Sequence, residues 1–200
     1  MNDTERIREW LAQASRAVES IDAAAVAGAI RALTAVRESG GTIFVAGNGG
    51  SANTANHLAL DLQKAARTNG GTSRALSLSD NVGLITAWAN DESFERVFAA
   101  QLEALARRGD ALLVFSVSGS SPNLMAALRS ARERGLVTVG LLGKDGGAAR
   151  SVVDHAVIVP SDDYGWVESV HLVLEHVITY ALRDGHAAPG AESRVAQARA

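Results

Sequence analysis

The 200-residue sequence predicts an α/β fold: a doubly wound parallel sheet flanked by helices in three layers, with an N-terminal helical arm. Three observations predict it. Short unbroken apolar runs such as Ala111-Leu112-Leu113-Val114-Phe115 are what strands buried on both faces require. These runs alternate with stretches of helical periodicity, the pattern of parallel strands joined by crossover helices. Two of the runs end in loops made almost wholly of Gly, Ser and Asn, residues that turn a strand into a helix start.

The arm comes first. Ile7, Trp10, Leu11, Ala14 and Val18 fall on one helical stripe, and Ile21, Val26, Ile30, Leu33 and Val36 continue the apolar spacing. Asp22 suits an N-cap, so one bent helix and two separate helices both satisfy the pattern. The stripe must pack either on its own domain or on a partner chain. A strand at Gly41–Ala46 follows, then a helix from Ser51 to about Arg67. Arg74–Leu78 reads as a weaker strand, Val82–Ala89 as a helix, and Phe94–Arg107 as another helix. Ala111–Phe115 is the strongest strand. Pro122 opens the next helix, where its missing N–H matters least, and Gly135 closes it. Val137–Leu142 is a strand, the loop Gly143–Gly147 leads to a short helix, and Ala156–Val159 is the last strand. Trp166–Leu182 is a final helix with an apolar face, and the Ala- and Gly-rich stretch 184–200 is expected to be loose.

Composition narrows the function. Hydrophobic residues make up 47% of the chain, enough for a packed core. The net charge is −3 with both signs dispersed, so no basic stripe offers itself to nucleic acid. There is no cysteine, which excludes disulfides and thiolate metal sites and leaves His and carboxylates as metal ligands. The N-terminus lacks a signal-peptide core and no apolar run is long enough to span a bilayer, so a reducing cytoplasm is the expected location.

The strand-end loops carry the chemistry. Gly47-Asn48-Gly49-Gly50-Ser51 lacks Cβ atoms at three of five positions, so backbone can approach a ligand there. It ends at a helix start, where free N–H groups favour an anion. Ser116-Val117-Ser118-Gly119-Ser120-Ser121 offers four hydroxyls around one Gly, again before a helix. Ser and Gly are also ordinary turn residues, but two such loops after strands of one sheet point to a bound anion. Neither has dinucleotide or P-loop spacing, so a phosphomonoester fits better than a nucleotide. His57 and Asp61 lie four apart on one helix face, where they can share a dication, work as a proton-transfer pair or form a plain surface pair. Glu168, His171, Glu175 and His176 stand among Val and Leu in the last helix, and polar groups in so apolar a helix need partners.

Ala46-Gly47-Asn48-Gly49-Gly50-Ser51 followed by His57-Leu58-Ala59-Leu60-Asp61 resembles the phosphoheptose isomerases, a branch of the sugar-isomerase (SIS) domain proteins. Ala89-Asn90-Asp91, the 116–121 serine loop and Gly143-Lys144-Asp145-Gly146-Gly147 agree in order and spacing. The resemblance runs from Gly41 to Leu182, and the arm fits as well. It implies a SIS domain over 39–183, an arm over 1–38 shared with an oligomer interface, and a flexible tail over 184–200. It implies an aldose–ketose isomerase acting on sedoheptulose 7-phosphate to give a D-glycero-D-manno- or altro-heptose 7-phosphate, for heptose biosynthesis. It implies a homotetramer with active sites between subunits and one zinc ion, or another divalent cation, per subunit.

By the same resemblance, Asn48, Gly49, Gly50, Asn90 and Asp91 contact the sugar. Ser116, Ser118 and Ser121 hold the phosphate, and Ser51, Val117, Asp61 and Glu168 complete the substrate contacts. His57, Asp61, Glu168 and His176 fall on metal-ligand positions, with Asp61 as base and His176 as acid. The chain departs from the family in five places. Asp61 stands for Glu, Glu168 for Gln, Val117 for Thr, Ser120 for Asn, and Trp166 for a basic residue. Glu168 and His176 are ~12 Å apart along a straight helix, so they meet one metal only from an irregular helix start or from different subunits. The competing reading is a non-catalytic SIS tetramer, a regulatory or assembly factor such as those that assist replication initiators. The presence of His57, Asp61 and His176 argues against it.

Overall fold

Two caps decide the shape of the arm in the computed structural model, which describes residues 2–65 and 73–184. Asn2 and Glu5 form a capping box that starts α1 (Asp3–Glu19). Asp22 then accepts from Ala24 N at 2.8 Å and Ala25 N at 3.3 Å, starting α2 (Ala23–Glu38). The arm is therefore two helices, because the Asp22 carboxylate satisfies N–H groups that a continuous helix would have bonded internally.

Five parallel strands follow: β1 (Thr42–Gly47), β2 (Arg74–Ser77), β3 (Ala111–Ser116), β4 (Val137–Gly143) and β5 (His155–Val159). Their order is β2-β1-β3-β4-β5. The direction of winding reverses between β1 and β3, which makes the carboxyl ends of these two strands the natural ligand crevice. Gly47 pairs in register with Phe115, so the loops after β1 and β3 open side by side.

Alternation along each strand separates two cores. Ile43, Val45, Leu113, Phe115, Val139, Leu141, Val157 and Val159 pack on one face against α2, α3 (Gly50–Ala65) and α7 (Tyr164–Asp184). Phe44, Ala46, Leu112, Val114 and Leu142 pack on the other against α5 (Ala99–Leu105) and α6 (Pro122–Glu133), beside α4 (Val82–Asp91).

The helix expected over Phe94–Arg107 is in fact a 3₁₀ turn, Phe94–Arg96, followed by the short α5. Val97 and Phe98 drop into the core at the junction, while Gln101 donates to the carbonyls of Leu78 and Val97. The expected end of α3 at Arg67 and all but the first residue of the 184–200 tail lie outside the described residues. Among the described residues no helix is long and apolar enough to cross a membrane.

α1 packs on α7, with the Trp166 indole donating to Gln13 Oε1 at 3.3 Å. Ala17 and Ile21 reach the core, yet Ile7, Trp10, Leu11 and Val18 remain exposed in the single chain. Leu172, Val173, Val177 and Tyr180 of α7 are exposed as well.

Candidate active site

The first loop is set by its glycines. Gly49 has φ +55°, a left-handed conformation that glycine adopts freely. Ser51 is buried in the first turn of α3. Asn48 Nδ2 donates to Asn123 Oδ1 at 2.9 Å, and Asn123 Nδ2 donates back to Asn48 Oδ1 at 2.8 Å. This reciprocal amide pair ties the β1 loop to the start of α6.

The serine loop after β3 is knitted to itself and to the loop after β4. Ser116 Oγ accepts from Gly119 N at 3.0 Å, and Ser118 Oγ accepts from Ser120 N at 3.3 Å. Gly119 sits at φ +60° with no room for a Cβ, because the Gly146 carbonyl fills that space. Ala149 N donates to Gly119 O at 2.8 Å, and Ser120 Oγ accepts from Ala148 N at 3.2 Å. Ser121 is the N-cap of α6 but makes no side-chain cap hydrogen bond. Ser116 and Ser118 act here as acceptors, so their hydroxyl protons are not used in these two hydrogen bonds. Val117 is buried in the core, so only its backbone can face a ligand.

The titratable cluster lies between α3 and α7. His57 Nε2 is 3.6 Å from Asp61 Oδ2, one turn further along α3. From α7, Glu175 Oε2 lies 3.1 Å from His176 Nδ1 and 4.0 Å from His57 Nδ1. The two imidazoles meet edge to face, with centroids 5.1 Å apart. His176 Nδ1 is 2.9 Å from the Leu172 carbonyl, which favours a proton on that nitrogen and fixes the ring. One ligand atom from each of His57, Asp61, Glu175 and His176 can be chosen so that all lie within 4.8 Å of one another.

Glu175 is fully buried. Its Oε1 accepts from the Thr179 hydroxyl at 3.2 Å, while Oε2 has no hydrogen-bond partner. Burial pushes its carboxyl above the ordinary range, opposed by His176 and His57 and reinforced by Asp61. One turn earlier on α7, His171 is also fully buried and tilted against Phe115, and neither ring nitrogen has a partner. Burial lowers its pKa to about 4.

Glu168 stands apart from this cluster. A Cβ at Gly50 would meet both of its carboxylate oxygens at 2.5 Å, so Glu168 lies against the start of α3. α7 is one continuous helix from Tyr164 to Asp184, so an irregular start does not carry Glu168 to His176 within one chain. Asn90 and Asp91 are exposed on the last turn of α4, where Asn90 donates to Asp91 Oδ1 at 2.8 Å.

Comparison with known proteins follows the same lines. The model of the SIS domain family matches residues 9–143. The chain belongs to the SIS domain family. Within it, the chain groups with the phosphoheptose isomerases. One from Pelobacter propionicus is 45% identical over 139 residues, 70% of this chain and 74% of that protein. One from Bradyrhizobium sp. is 38% identical over 177 residues, 86% and 89% of the two chains. The solved structure of a phosphoheptose isomerase from Neisseria gonorrhoeae superimposes with a TM-score of 0.85 at 29% identity, covering 92% of this chain and 100% of that one.

Viewed as a SIS domain, the chain has Ser- and Gly-rich loops at the β1–β3 crevice and a His–carboxylate pair on the α3 helix that starts there. From Gly50 to His57 is two helical turns, roughly 10 Å, a span comparable with an extended seven-carbon sugar. Sequence reading did not single out Asn123, which locks the two loops together, or the structural duty of Ser120. It noted Glu175 as polar in an apolar helix without placing it beside His57. The one available signal was its adjacency to His176.

Proposed function

We propose that the protein is an aldose–ketose isomerase that converts sedoheptulose 7-phosphate to an aldoheptose 7-phosphate. The observation that carries this reading is the joint presence of two features: the serine loop at the carboxyl end of β3, and the Asp61–His57–His176 cluster on α3 and α7. Its relatives' name, phosphoheptose isomerase, supports the same substrate. The phosphate is held by Ser116, Ser118, Ser121 and the N-terminus of α6, and the sugar by Asn48, Gly49, Gly50, Ser51, Asn90, Asp91 and Glu168, with Val117 contributing backbone only.

Phosphate anchoring fixes the reacting carbons relative to α3. Asp61 takes the proton from carbon 1, beside the carbonyl, and the electron pair forms the carbon–carbon double bond of an enediol. His176 gives a proton to the former carbonyl oxygen and recovers one from the oxygen on carbon 1. Asp61 then returns its proton to carbon 2, leaving an aldehyde at carbon 1. No proton is gained or lost overall.

The donor set suits a divalent cation such as zinc, because it combines two imidazoles with carboxylates, one of them a buried oxygen without a hydrogen bond. His57, Asp61 and His176 would hold it, with Glu168 joining from a neighbouring subunit. When bound, such an ion stabilises negative charge on the enediol oxygens. The exposed apolar residues of α1 and α7 favour a homotetramer in which these surfaces meet. A cytoplasmic location fits the cysteine-free composition.

Incubation with sedoheptulose 7-phosphate, followed by proton NMR, tests the reading. New anomeric signals of an aldose phosphate are expected; their absence with a folded, zinc-supplied protein would overturn it.

A further inference from the structure

The turn between β1 and α3 is held by hydrogen bonds rather than by packing. A Cβ at Gly49 would find nothing within 4 Å, so the tip of the turn stands clear of its surroundings. Its entrance is gripped by Ser79, just beyond β2. Gly47 N donates to Ser79 Oγ at 3.2 Å, and Ser79 Oγ donates to Gly47 O at 2.9 Å. Its exit closes on itself, with Ala52 N donating to Gly49 O at 3.0 Å. In between stands Asn48, whose amide gives and takes one hydrogen bond with Asn123, at 2.9 Å and 2.8 Å.

Asn123 lies in the first turn of α6, directly after the serine loop, and is only 2% exposed. Its Oδ1 also accepts from Leu124 N at 3.0 Å, so its acceptor is already met within its own helix. Its Nδ2 donor instead reaches a segment 75 residues away. A buried amide is unfavourable unless its polar atoms are bonded. Here the bonding comes from the Gly-rich turn across the β1–β3 crevice, which makes Asn123 a side-chain bridge between the two strand-end loops.

We propose that Asn123 is a positioning residue for the isomerisation: acting through Asn48, it fixes the Gly49-Gly50 turn, and the α3 helix that grows from it, relative to the serine loop. A sugar gripped by its phosphate at residues 116–121 then meets the turn, and Asp61 further along α3, at a set distance. A displacement of about 1 Å at such a joint costs on the order of a hundredfold in rate. The proposal rests on the isomerase reading for the reaction; the holding of the turn is a property of the protein without substrate.

Two variants separate positioning from mere support of the fold. Asn123→Ala removes both bonds of the pair. Asn123→Asp keeps an acceptor for Asn48 Nδ2 and for Leu124 N, and a carboxylate suits the first turn of a helix. It therefore retains the fold and loses the return bond to Asn48 Oδ1. With the full-length protein at saturating sedoheptulose 7-phosphate, kcat is expected to fall roughly tenfold or more in both variants, while Asn123→Asp melts as wild type does. Asn48→Ala should fall at least as far, and Asn48→Ala/Asn123→Ala no further than Asn48→Ala alone, because the two amides act as a unit. Hydrogen–deuterium exchange without substrate should quicken over residues 47–51 in both Asn123 variants and keep its wild-type rate over β3 and β4. A kcat within about twofold of wild type in either Asn123 variant, losses that multiply in the double variant, or unchanged exchange over 47–51 would overturn the proposal. A wild type that leaves the sugar unchanged would refute the isomerase reading instead, and the exchange measurement would then decide by itself whether Asn123 holds the turn.

Discussion

The two halves of the site differ in how they meet their own hydrogen-bonding needs. The 116–121 loop is nearly self-sufficient. Its Gly119 and Ser120 N–H groups are taken up by Ser116 and Ser118, its Gly119 carbonyl by Ala149, and Ser120 Oγ by Ala148. The α3–α7 cluster leaves Glu175 Oε2 and both nitrogens of nearby His171 without hydrogen bonds. A finished cradle suits a group bound the same way throughout a reaction, as a phosphate is. An unfinished cluster suits a region completed by a ligand and by protons that move. The difference predicts that variants at the cradle alter binding and stability, whereas variants at the cluster alter turnover and response to pH.

The largest effect is expected at the cluster. Asp61→Asn should lower kcat by about 10²–10⁴-fold while the protein still binds substrate phosphate, as measured by steady-state kinetics and by equilibrium binding. Undiminished turnover would remove Asp61 as the base and blur the contrast.

The cradle should respond in stability. Gly119→Ala combines a left-handed φ of +60° with a clash against the Gly146 carbonyl. It should cost roughly 2–3 kcal/mol in urea unfolding. Gly49→Ala has a similar φ of +55° but open space around the new methyl. It should cost only about 1 kcal/mol. Equal costs would mean that the interlock of the two loops contributes nothing.

His171 makes the cluster side sensitive to acid. Its folded pKa, about 4, lies below the ordinary histidine value of 6.5, so the unfolded chain takes up the proton first. Stability is therefore full above 6.5 and falls as pH drops toward 4. About 2 kcal/mol should be lost between pH 7 and pH 5, seen as a lower urea midpoint. His171→Leu should flatten that slope; an unchanged slope would assign the acid sensitivity elsewhere.

The smallest effect is at a single cradle hydroxyl. Ser118→Ala should raise KM by roughly fivefold to tenfold, the worth of one hydrogen bond of about 1 kcal/mol, with kcat nearly unchanged. A fall in kcat at constant KM would place Ser118 in the chemistry instead.

Much of this was legible in the sequence, for a physical reason. Strands buried on both faces admit only apolar residues, so Ala111–Phe115 announces itself, and a loop that must reverse the chain and meet an anion draws on few residue types. The pairing of His57 with Asp61 follows from helical spacing alone. What stayed hidden depends on contacts between segments distant in sequence. The Asn48–Asn123 amide pair joins residues 75 apart, and no local pattern marks it. Glu175 and Glu168 are both acidic residues of one apolar helix, and only the way α7 packs on α3 separates the one beside His57 from the one beside Gly50. The broken helix near Val97 was missed because local periodicity does not register a demand from the core.

In the proposed reaction Asp61 transfers a proton through an enediol of a substrate held at the serine loop. Running the reaction on sedoheptulose 7-phosphate in D₂O, with wild type and Asp61→Asn side by side, tests it most directly. The wild type should yield heptose 7-phosphate, with deuterium on carbon 2 in the fraction of turnovers in which the proton held by Asp61 exchanges with solvent before its return, and the variant should yield neither product nor exchange. Product formed equally well by the variant would contradict the account.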